Sequence, residues 1–340
     1  MREFFSAFGT EGWTVLLTAA VSALASFLIL ETLLSTGLAW RIATDVPNHR
    51  SLHVKPIPRV GGWGIVPVGL AALLWHASQM WLIAAAAAAL ALVSQIDDRH
   101  DLPARIRFAA HFAAVVVLVV VWPAAAPWWL LVGAGFLMLW LINLYNFMDG
   151  SDGLAGGMAL FGFGAYAAAA LTGEHPSPEL ALSGASIAGA ALGFLLLNFY
   201  PAKLFLGDAG SITLGFLAGA LGYWGWRGGV WPLWFPAAVF SPFIADASVT
   251  LLRRLLRGEK FWQAHREHYY QRMVRSGIGH ARTAVYWYAV MLVGVILALW
   301  ALTRTGWQQW LIFAAWYGVL ACCGAVIDLR WRRFQNPSSN

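Results

Sequence analysis

The chain has 340 residues, of which 60% are hydrophobic and only 11% are charged. A soluble domain carries about 25% charged residues, so this composition excludes a soluble globule and indicates a membrane protein. The 22 Lys and Arg residues outnumber the 16 Asp and Glu residues, but they lie between apolar runs. A nucleic-acid-binding protein gathers its basic residues on a soluble surface, so this class is excluded as well.

Eleven apolar segments predict membrane-spanning helices, each of which needs about 20 apolar residues. They predict an all-α polytopic membrane protein with a single transmembrane domain over residues 1–340. The segment 253–283 is the only predicted loop that is large enough to fold over a site. The predicted spans lie near residues 13–36, 61–77, 80–96, 106–122, 128–146, 153–172, 181–199, 210–226, 231–252, 284–303 and 308–327.

The basic residues predict the orientation, because Lys and Arg are retained on the cytoplasmic side of bacterial membranes. Nineteen lie in loops on one side, whereas Arg2, Arg227 and Arg304 lie on the other. This asymmetry predicts a periplasmic N-terminus and a cytoplasmic C-terminus. All nine aspartates then fall on the cytoplasmic side, although four of the seven glutamates lie outside. We therefore expect a cytoplasmic site rich in aspartate.

The first polar loop, residues 45–62, is punctuated by Pro and Gly and carries Arg50, His53 and Arg59. It could be a simple positive anchor at the membrane surface. Irregular backbone beside a membrane also favours a shaped site, because such backbone needs polar partners.

Asp97 and Asp98 directly follow the third apolar run. Adjacent carboxylates repel each other, so one of them is expected to hold a proton unless a cation lies between them. The pair is a candidate metal ligand or proton acceptor. A solvated helix end is the alternative.

The fifth span ends in a second polar motif, with Asn143, Asn146 and Asp149 three residues apart and therefore on one helix face. Asp152 and Gly153 follow, and glycine lets the backbone turn and approach a ligand closely. Asp152 could instead be an N-cap of the sixth helix. Capping would explain one carboxylate, but not two carboxylates with two amides in register.

The third motif runs from Asn198 to Ser211. Lys203 can compensate the charge of a phosphate, and Phe205 offers a face for stacking. Asp208 precedes a helix start that is suited to anions, and its carboxylate is the kind of oxygen ligand that Mg²⁺ prefers. A simple helix cap is again the alternative.

The fourth motif lies in the large basic loop and contains His265, Arg266, His268 and Arg272. The two histidines are three residues apart, which also suits zinc, but further ligands would have to come from elsewhere. Phosphate binding by His and Arg explains the cluster better. A solvated amphipathic helix at the membrane surface is the remaining alternative.

Together, these motifs resemble those of the polyprenyl-phosphate N-acetylhexosamine-1-phosphate transferases, glycosyltransferase family 4, the superfamily that includes MraY, WecA and TagO. The resemblance runs from about Asp45 to Arg282, and it rests on the joint order of motifs that are weak individually. It implies a bundle of about eleven helices in the bacterial inner membrane. It also implies an enzyme, dependent on Mg²⁺ or Mn²⁺, that transfers a sugar phosphate from a UDP-N-acetylhexosamine to undecaprenyl phosphate and releases UMP. Homodimers are common in the family.

The resemblance also implies roles for individual residues. Asp208 is expected to bind Mg²⁺, while Asp97 and Asp98 either bind the metal or activate the lipid phosphate, with Asp97 favoured as the base. Asp45, Asp101 and Asp246 rank second. The other expected site residues are His265 and His268 as catalytic groups, Phe205 for uracil stacking, Asp152 and Gly153 in the uridine pocket, and Arg50, His53, Arg59, Asn143, Asn146, Asp149, Asn198, Lys203, Arg266 and Arg272 in substrate binding.

The large loop also indicates a branch of the family. It lacks the consecutive histidines of MraY and the His-x-His-His of WecA-like members, and it resembles the WbpL-type branch, which starts O-antigen or related lipopolysaccharide glycans. The expected donors are UDP-N-acetylfucosamine, UDP-N-acetylquinovosamine or UDP-GlcNAc, and a UDP-MurNAc-pentapeptide donor is not expected. The alternative is a polytopic transporter or lipid flippase, which would place ionisable residues near the membrane midplane. Only Glu31 and His111 are candidates for such a position.

Overall fold

The computed structural model describes residues 9–47, 52–100, 102–260 and 265–336. Within these ranges the chain is almost entirely helical, with a 3₁₀ turn at Ser78–Met80, a π turn at Val274–Ile278 and one short hairpin, β1 (Thr44–Asp45) and β2 (Ile57–Pro58). The α-helices are α1 (Gly9–Ser35), α2 (Leu38–Ile42), α3 (Gly62–His76), α4 (Trp81–His100), α5 (Ala104–Val121), α6 (Trp128–Phe147), α7 (Leu154–Thr172), α8 (Pro178–Asn198), α9 (Asp208–Arg227), α10 (Trp234–Val239), α11 (Ser241–Leu256), α12 (Tyr269–Met273), α13 (His280–Leu302) and α14 (Trp307–Gln335).

Eight of the described helices are long and apolar enough to cross a membrane, namely α1, α4 with the 3₁₀ turn before it, α5, α6, α7, α8, α13 and α14. They confirm a polytopic all-α membrane protein. Of the other three predicted spans, α3 has only 15 residues and α9 is not among the eight. The third is interrupted at Phe240, because Pro242 has no N–H with which to continue the helix from α10 into α11. The count of eleven spans and the orientation stay predictions.

The centre of the bundle is formed by α7 and α8, most of whose residues are buried. α8 packs against α1, α3 and α7, and its small residues let the backbones approach closely. At Gly189 and Gly193, a Cβ atom would collide with the backbone of Ala19 and Ala23 in α1. Such packing of small residues is common between membrane helices. The helices α1, α5 and α14 leave most of their residues uncovered by protein, as expected of the outer layer of a bundle.

The segment after β2 holds the N-terminal ends of α3 and α9 close together. Arg59 pairs with Phe205 in a parallel β-bridge, and the next residues lead into α3. Gly62 at the start of α3 lies against the backbone of Gly210, where a Cβ atom would not fit. This close approach brings Arg59 and Asp208, at the start of α9, to the same end of the bundle.

The polar segment after α11 folds back onto the bundle through ion pairs. Arg254 pairs with Glu267, and the carboxylate of Asp328 in α14 accepts from both Arg253 (2.7 Å) and Arg272 (2.6 Å). Asp328 therefore joins α11, α12 and α14. These contacts fix α12 beside the ends of the spanning helices.

Candidate active site

A cleft of about 330 Å³ opens where the ends of several helices meet. Its wall is formed by the C-terminal ends of α6 and α8, the turn between α6 and α7, the N-terminal ends of α9 and α13, α12 and the hairpin. Most of its lining side chains are polar. The lining residues are Asp45, Leu52, His53, Arg59, Asn146, Phe147, Asp149, Gly150, Ser151, Asp152, Asn198, Phe205, Gly207, Asp208, His265, Tyr270, Gln271 and His280.

Arg59 is a positive charge placed among carboxylates of the cleft. Its Nη2 lies 3.1 Å from Oδ1 of Asp98 in α4, whose side chain is only 4% exposed. The charge of Arg59 also acts on Asp149 and Asp208. The Nε atom of Arg59 is buried and has no hydrogen-bond partner among the described residues. The guanidinium group therefore retains a donor that an anionic ligand could use.

Asp149 lies in the turn between α6 and α7. Burial raises the pKa of its carboxyl group well above the ordinary value, and the negative charge of Asp208 raises this pKa further, while Arg59 opposes the shift. A carboxyl group in this environment tends to keep a proton unless a cation is present. A bound cation would therefore be needed to keep Asp149 and Asp208 ionised together.

Asp152 connects the same turn to two neighbouring segments. Its Oδ2 accepts a hydrogen bond from the N–H of Ala202 at 3.0 Å, and its Oδ1 lies 3.5 Å from Nδ1 of His280 at the start of α13. The N-cap of α7 is Gly153, with φ of 76°, so Asp152 is not the cap. Asn198 accepts the N–H of Gly153 at 2.9 Å and fixes the turn against the end of α8.

Two residues of the cleft, Phe205 and His280, make contacts with other rings. The ring of Phe205 makes an edge contact with His53 at a centroid distance of 4.9 Å. Tyr200 stacks on His280 at 5.8 Å, with their planes 11° apart. Aromatic faces of this kind can bind a planar base.

His265 and Tyr270 bring the segment after α11 to the cleft. Burial, together with the neighbouring His268 and Arg254, lowers the pKa of His265 to about 4. At neutral pH, His265 is therefore an uncharged hydrogen-bonding group. His268 is buried, and its Nδ1 lies 3.2 Å from Oδ1 of Asp246, so it belongs to the wall behind the cleft.

Several predicted site residues do not line the cleft. Asp97 accepts hydrogen bonds from the N–H of Leu102 (2.7 Å) and from Nη1 of Arg107 (2.9 Å), so both of its oxygens are occupied. Of the pair, Asp98 is the one that contacts a residue of the cleft, and this placement favours Asp98 over Asp97 as the reactive carboxylate. Asp98 itself does not line the cleft, and neither do His268, Gly153, Asn143, Lys203, Arg266 and Arg272, while Arg50 lies outside the described residues.

Eight cleft residues are not among those predicted from the sequence, namely Leu52, Phe147, Gly150, Ser151, Gly207, Tyr270, Gln271 and His280. His280 is 128 residues from Asp152 along the chain, and it belongs to none of the four polar motifs. It lies directly after Gly279, four residues before the predicted span 284–303 and within the predicted loop 253–283. A position shortly before a predicted span also made Asp208 a candidate, so it could have indicated His280 as well.

The cleft offers oxygen ligands of the kind that Mg²⁺ binds. Asp149 and Asp208 are the only aspartates among the described residues whose carboxylates have no hydrogen-bond or ion-pair partner. Asp208 is the first residue of α9, after the N-cap Gly207, and Asn146 adds an amide oxygen that accepts a hydrogen bond from the hydroxyl of Ser211 at 3.1 Å. No group of three or more His, Cys, Asp or Glu in the described part of the chain forms a complete metal site. Mg²⁺ usually takes one or two carboxylates and completes its shell with water and substrate phosphates, so these residues fit the ion.

Comparisons with known proteins agree with this chemistry. Residues 80–225 match the model of glycosyl transferase family 4. The decaprenyl-phosphate N-acetylglucosaminephosphotransferase of Mycobacterium tuberculosis is 30% identical over 303 residues, which cover 75% of this chain and 74% of that protein. A probable undecaprenyl-phosphate N-acetylglucosaminyl 1-phosphate transferase of Bacillus subtilis is 28% identical, covering 83% of this chain and 84% of that protein. The phospho-N-acetylmuramoyl-pentapeptide-transferase of Nostoc sp. is 31% identical, covering 59% and 61%.

The membrane-spanning bundle, its charged cleft and these relatives define a multi-pass membrane phosphoglycosyltransferase. The chain belongs to glycosyl transferase family 4, within the polyprenyl-phosphate hexosamine-1-phosphate transferase superfamily. It transfers a hexosamine-1-phosphate to a polyprenyl phosphate. The transporter interpretation is not retained, because these relatives are transferases.

Proposed function

We propose that the chain transfers an N-acetylhexosamine-1-phosphate from a UDP-sugar to undecaprenyl phosphate and releases UMP. The reaction starts a lipid-linked glycan such as O-antigen, on the cytoplasmic face of the inner membrane. The observation that carries this proposal is the pair of unpartnered carboxylates, Asp149 and Asp208, beside Arg59 in one cleft. Two carboxylates without partners are costly in a partly buried site, and an Mg²⁺ ion shared with a diphosphate would balance them.

The transfer needs one bond to form and one to break. An oxygen of the lipid phosphate attacks the phosphorus that carries the sugar, and the bond from this phosphorus to the oxygen of the leaving UMP breaks. Such reactions depend mostly on positioning and charge neutralisation. Arg59 binds phosphate oxygens, and Asp98 orients Arg59 through their 3.1 Å contact. Phe205 offers its ring to the uracil base, and any proton of the lipid phosphate passes to Asp98.

Asp149 and Asp208, with the amide of Asn146, are the residues that would hold Mg²⁺. When bound there, the ion neutralises charge on the diphosphate and on the leaving UMP. His265, uncharged at neutral pH, donates or accepts a hydrogen bond at the other wall of the cleft.

The sugar is the finer part of the proposal. UDP-N-acetylfucosamine, UDP-N-acetylquinovosamine and UDP-GlcNAc are the candidate donors, because the segment from His265 to Arg272 is similar to that of the WbpL-type branch. The relatives from Mycobacterium tuberculosis and Bacillus subtilis are named for N-acetylglucosamine transfer, which supports including UDP-GlcNAc.

The test is incubation of the purified protein with undecaprenyl phosphate, Mg²⁺ and each UDP-N-acetylhexosamine, with UMP release and the lipid product both measured. We expect release with at least one donor and none without Mg²⁺. Asp208→Asn should fold but lose activity by about 100-fold or more, on the scale of losing a main electrostatic contribution. Glu179→Gln, an exposed acid at the start of α8 and away from the cleft, is the matched control. An active Asp208→Asn enzyme would overturn the metal assignment, and no UMP release with any donor would overturn the function.

A further inference from the structure

Asp246 in α11 collects four hydrogen bonds although it does not line the cleft. Its carboxylate accepts the backbone N–H groups of Tyr269 (2.9 Å) and Tyr270 (3.1 Å) and the hydroxyl of Thr250 (3.2 Å), and it faces Nδ1 of His268 at 3.2 Å. The residue is only 1% exposed. The first N–H groups of a helix have no partner inside that helix. A single carboxylate on α11 therefore fixes the start of α12.

Tyr270 extends this contact to the cleft. Its hydroxyl donates to the carbonyl oxygen of Phe147 at 3.1 Å. The same hydroxyl lies against Gly150, where a Cβ atom would collide with it. Because Tyr270 is fully buried, its ring has little freedom to move. The turn that carries Asp149 therefore rests on a tyrosine whose own backbone is held by Asp246.

We propose that Asp246 is a positioning residue for the transfer reaction. It fixes the backbone of Tyr270, and Tyr270 holds the turn from Phe147 to Gly150 so that the carboxylate of Asp149 faces the cleft. The proposal rests on the proposed function, because it assigns Asp246 a part in that reaction. If Asp246 only stabilised the fold, replacing it would lower stability, and its effect on kcat would be independent of the hydroxyl of Tyr270.

A double-mutant cycle tests the proposal, with kcat and the KM for the donor measured in the wild type, Asp246→Asn, Tyr270→Phe and the double variant. Asp246→Asn keeps one acceptor oxygen but turns an NH₂ group toward N–H donors. We expect kcat to fall by about 10- to 100-fold, the scale of a misplaced reacting group, with a much smaller change in KM. The two effects should not multiply, because both variants break the same connection.

Tyr223→Phe is the matched control. The hydroxyl of Tyr223 also donates to a backbone carbonyl oxygen, that of Trp122, but Trp122 lies in the connection before α6, at the opposite end of α6 from Phe147. The effect of Tyr223→Phe should multiply with that of Asp246→Asn. Thr250→Val removes one of the four hydrogen bonds and gives a milder variant if Asp246→Asn does not fold. We expect it to lower kcat several-fold in the same direction.

Hydrogen exchange of the Tyr269–Met273 peptide gives a measurement that does not depend on turnover. Asp246→Asn should speed exchange of these amides. If the wild type releases UMP from no donor, the proposed function fails, whereas unchanged exchange in Asp246→Asn overturns the structural basis of this inference. Wild-type kcat in Asp246→Asn, or a loss that multiplies with that of Tyr270→Phe, would overturn the positioning role.

Discussion

Replacing Arg59 by Met should destabilise the protein because it leaves Asp98 without its cation. At 3.1 Å, two unit charges attract each other by about 5 kcal/mol at an effective dielectric constant of about 20. Removing one partner of a buried pair typically costs about 3–5 kcal/mol. Because the side chain of Arg59 is 29% exposed and solvent screens part of the attraction, we expect a loss of about 3 kcal/mol.

The assay is SDS-induced unfolding in mixed micelles, followed by tryptophan fluorescence, for Arg59→Met, Asp98→Asn and the double variant. Asp98→Asn removes the buried negative charge, and Arg59 can then turn toward solvent. Arg59→Met should therefore cost much less stability in the Asp98→Asn background than in the wild type, the remaining loss coming from Asp149 and Asp208, which gives a coupling energy of about 2–3 kcal/mol. Arg59→Lys keeps the charge and should lose less. Equal destabilisation by Arg59→Met in the presence and absence of the Asp98 carboxylate would refute this account.

Two further predictions concern the turn between α6 and α7. Because burial and Asp208 raise the pKa of Asp149, metal-free stability should fall as pH rises from about 4 through the folded-state pKa. Mg²⁺ should therefore raise the unfolding temperature more at pH 8 than at pH 6. Asp149→Asn should reduce this difference, and the part that remains comes from Asp208, whose pKa burial also raises. Equal shifts in the wild type at the two pH values would contradict this prediction. Gly150→Ala should lower kcat because its Cβ meets the hydroxyl of Tyr270, and adding Tyr270→Phe should restore part of the activity. A double variant no better than Gly150→Ala would refute the clash.

The features predicted well from the sequence are those that depend on long stretches of chain. Hydropathy over about 20 residues marks eight helices that the structure also has, because a lipid-exposed span must be apolar throughout. The break at Phe240 was not predicted, since the residues on both sides of it are apolar and a single proline, Pro242, decides where the second helix starts. The contribution of His280 also escaped prediction, because its contact with Asp152 depends on the packing of α13 beside α7.

The aspartates show most clearly where sequence patterns stop being informative. Most of the described aspartates lie near a helix end or in a polar loop, so their positions in the sequence look alike. The structure divides them by their partners, which come from distant segments: Asp98 pairs with Arg59, and Asp328 pairs with Arg272, 56 residues away. Carboxylates with such partners hold helices together. Asp149 and Asp208 have none among the described residues, and an unpaired buried carboxylate costs stability. A protein that keeps two of them in one cleft forgoes stability at that point, and a cation that binds together with a phosphate ligand is the partner that would recover it.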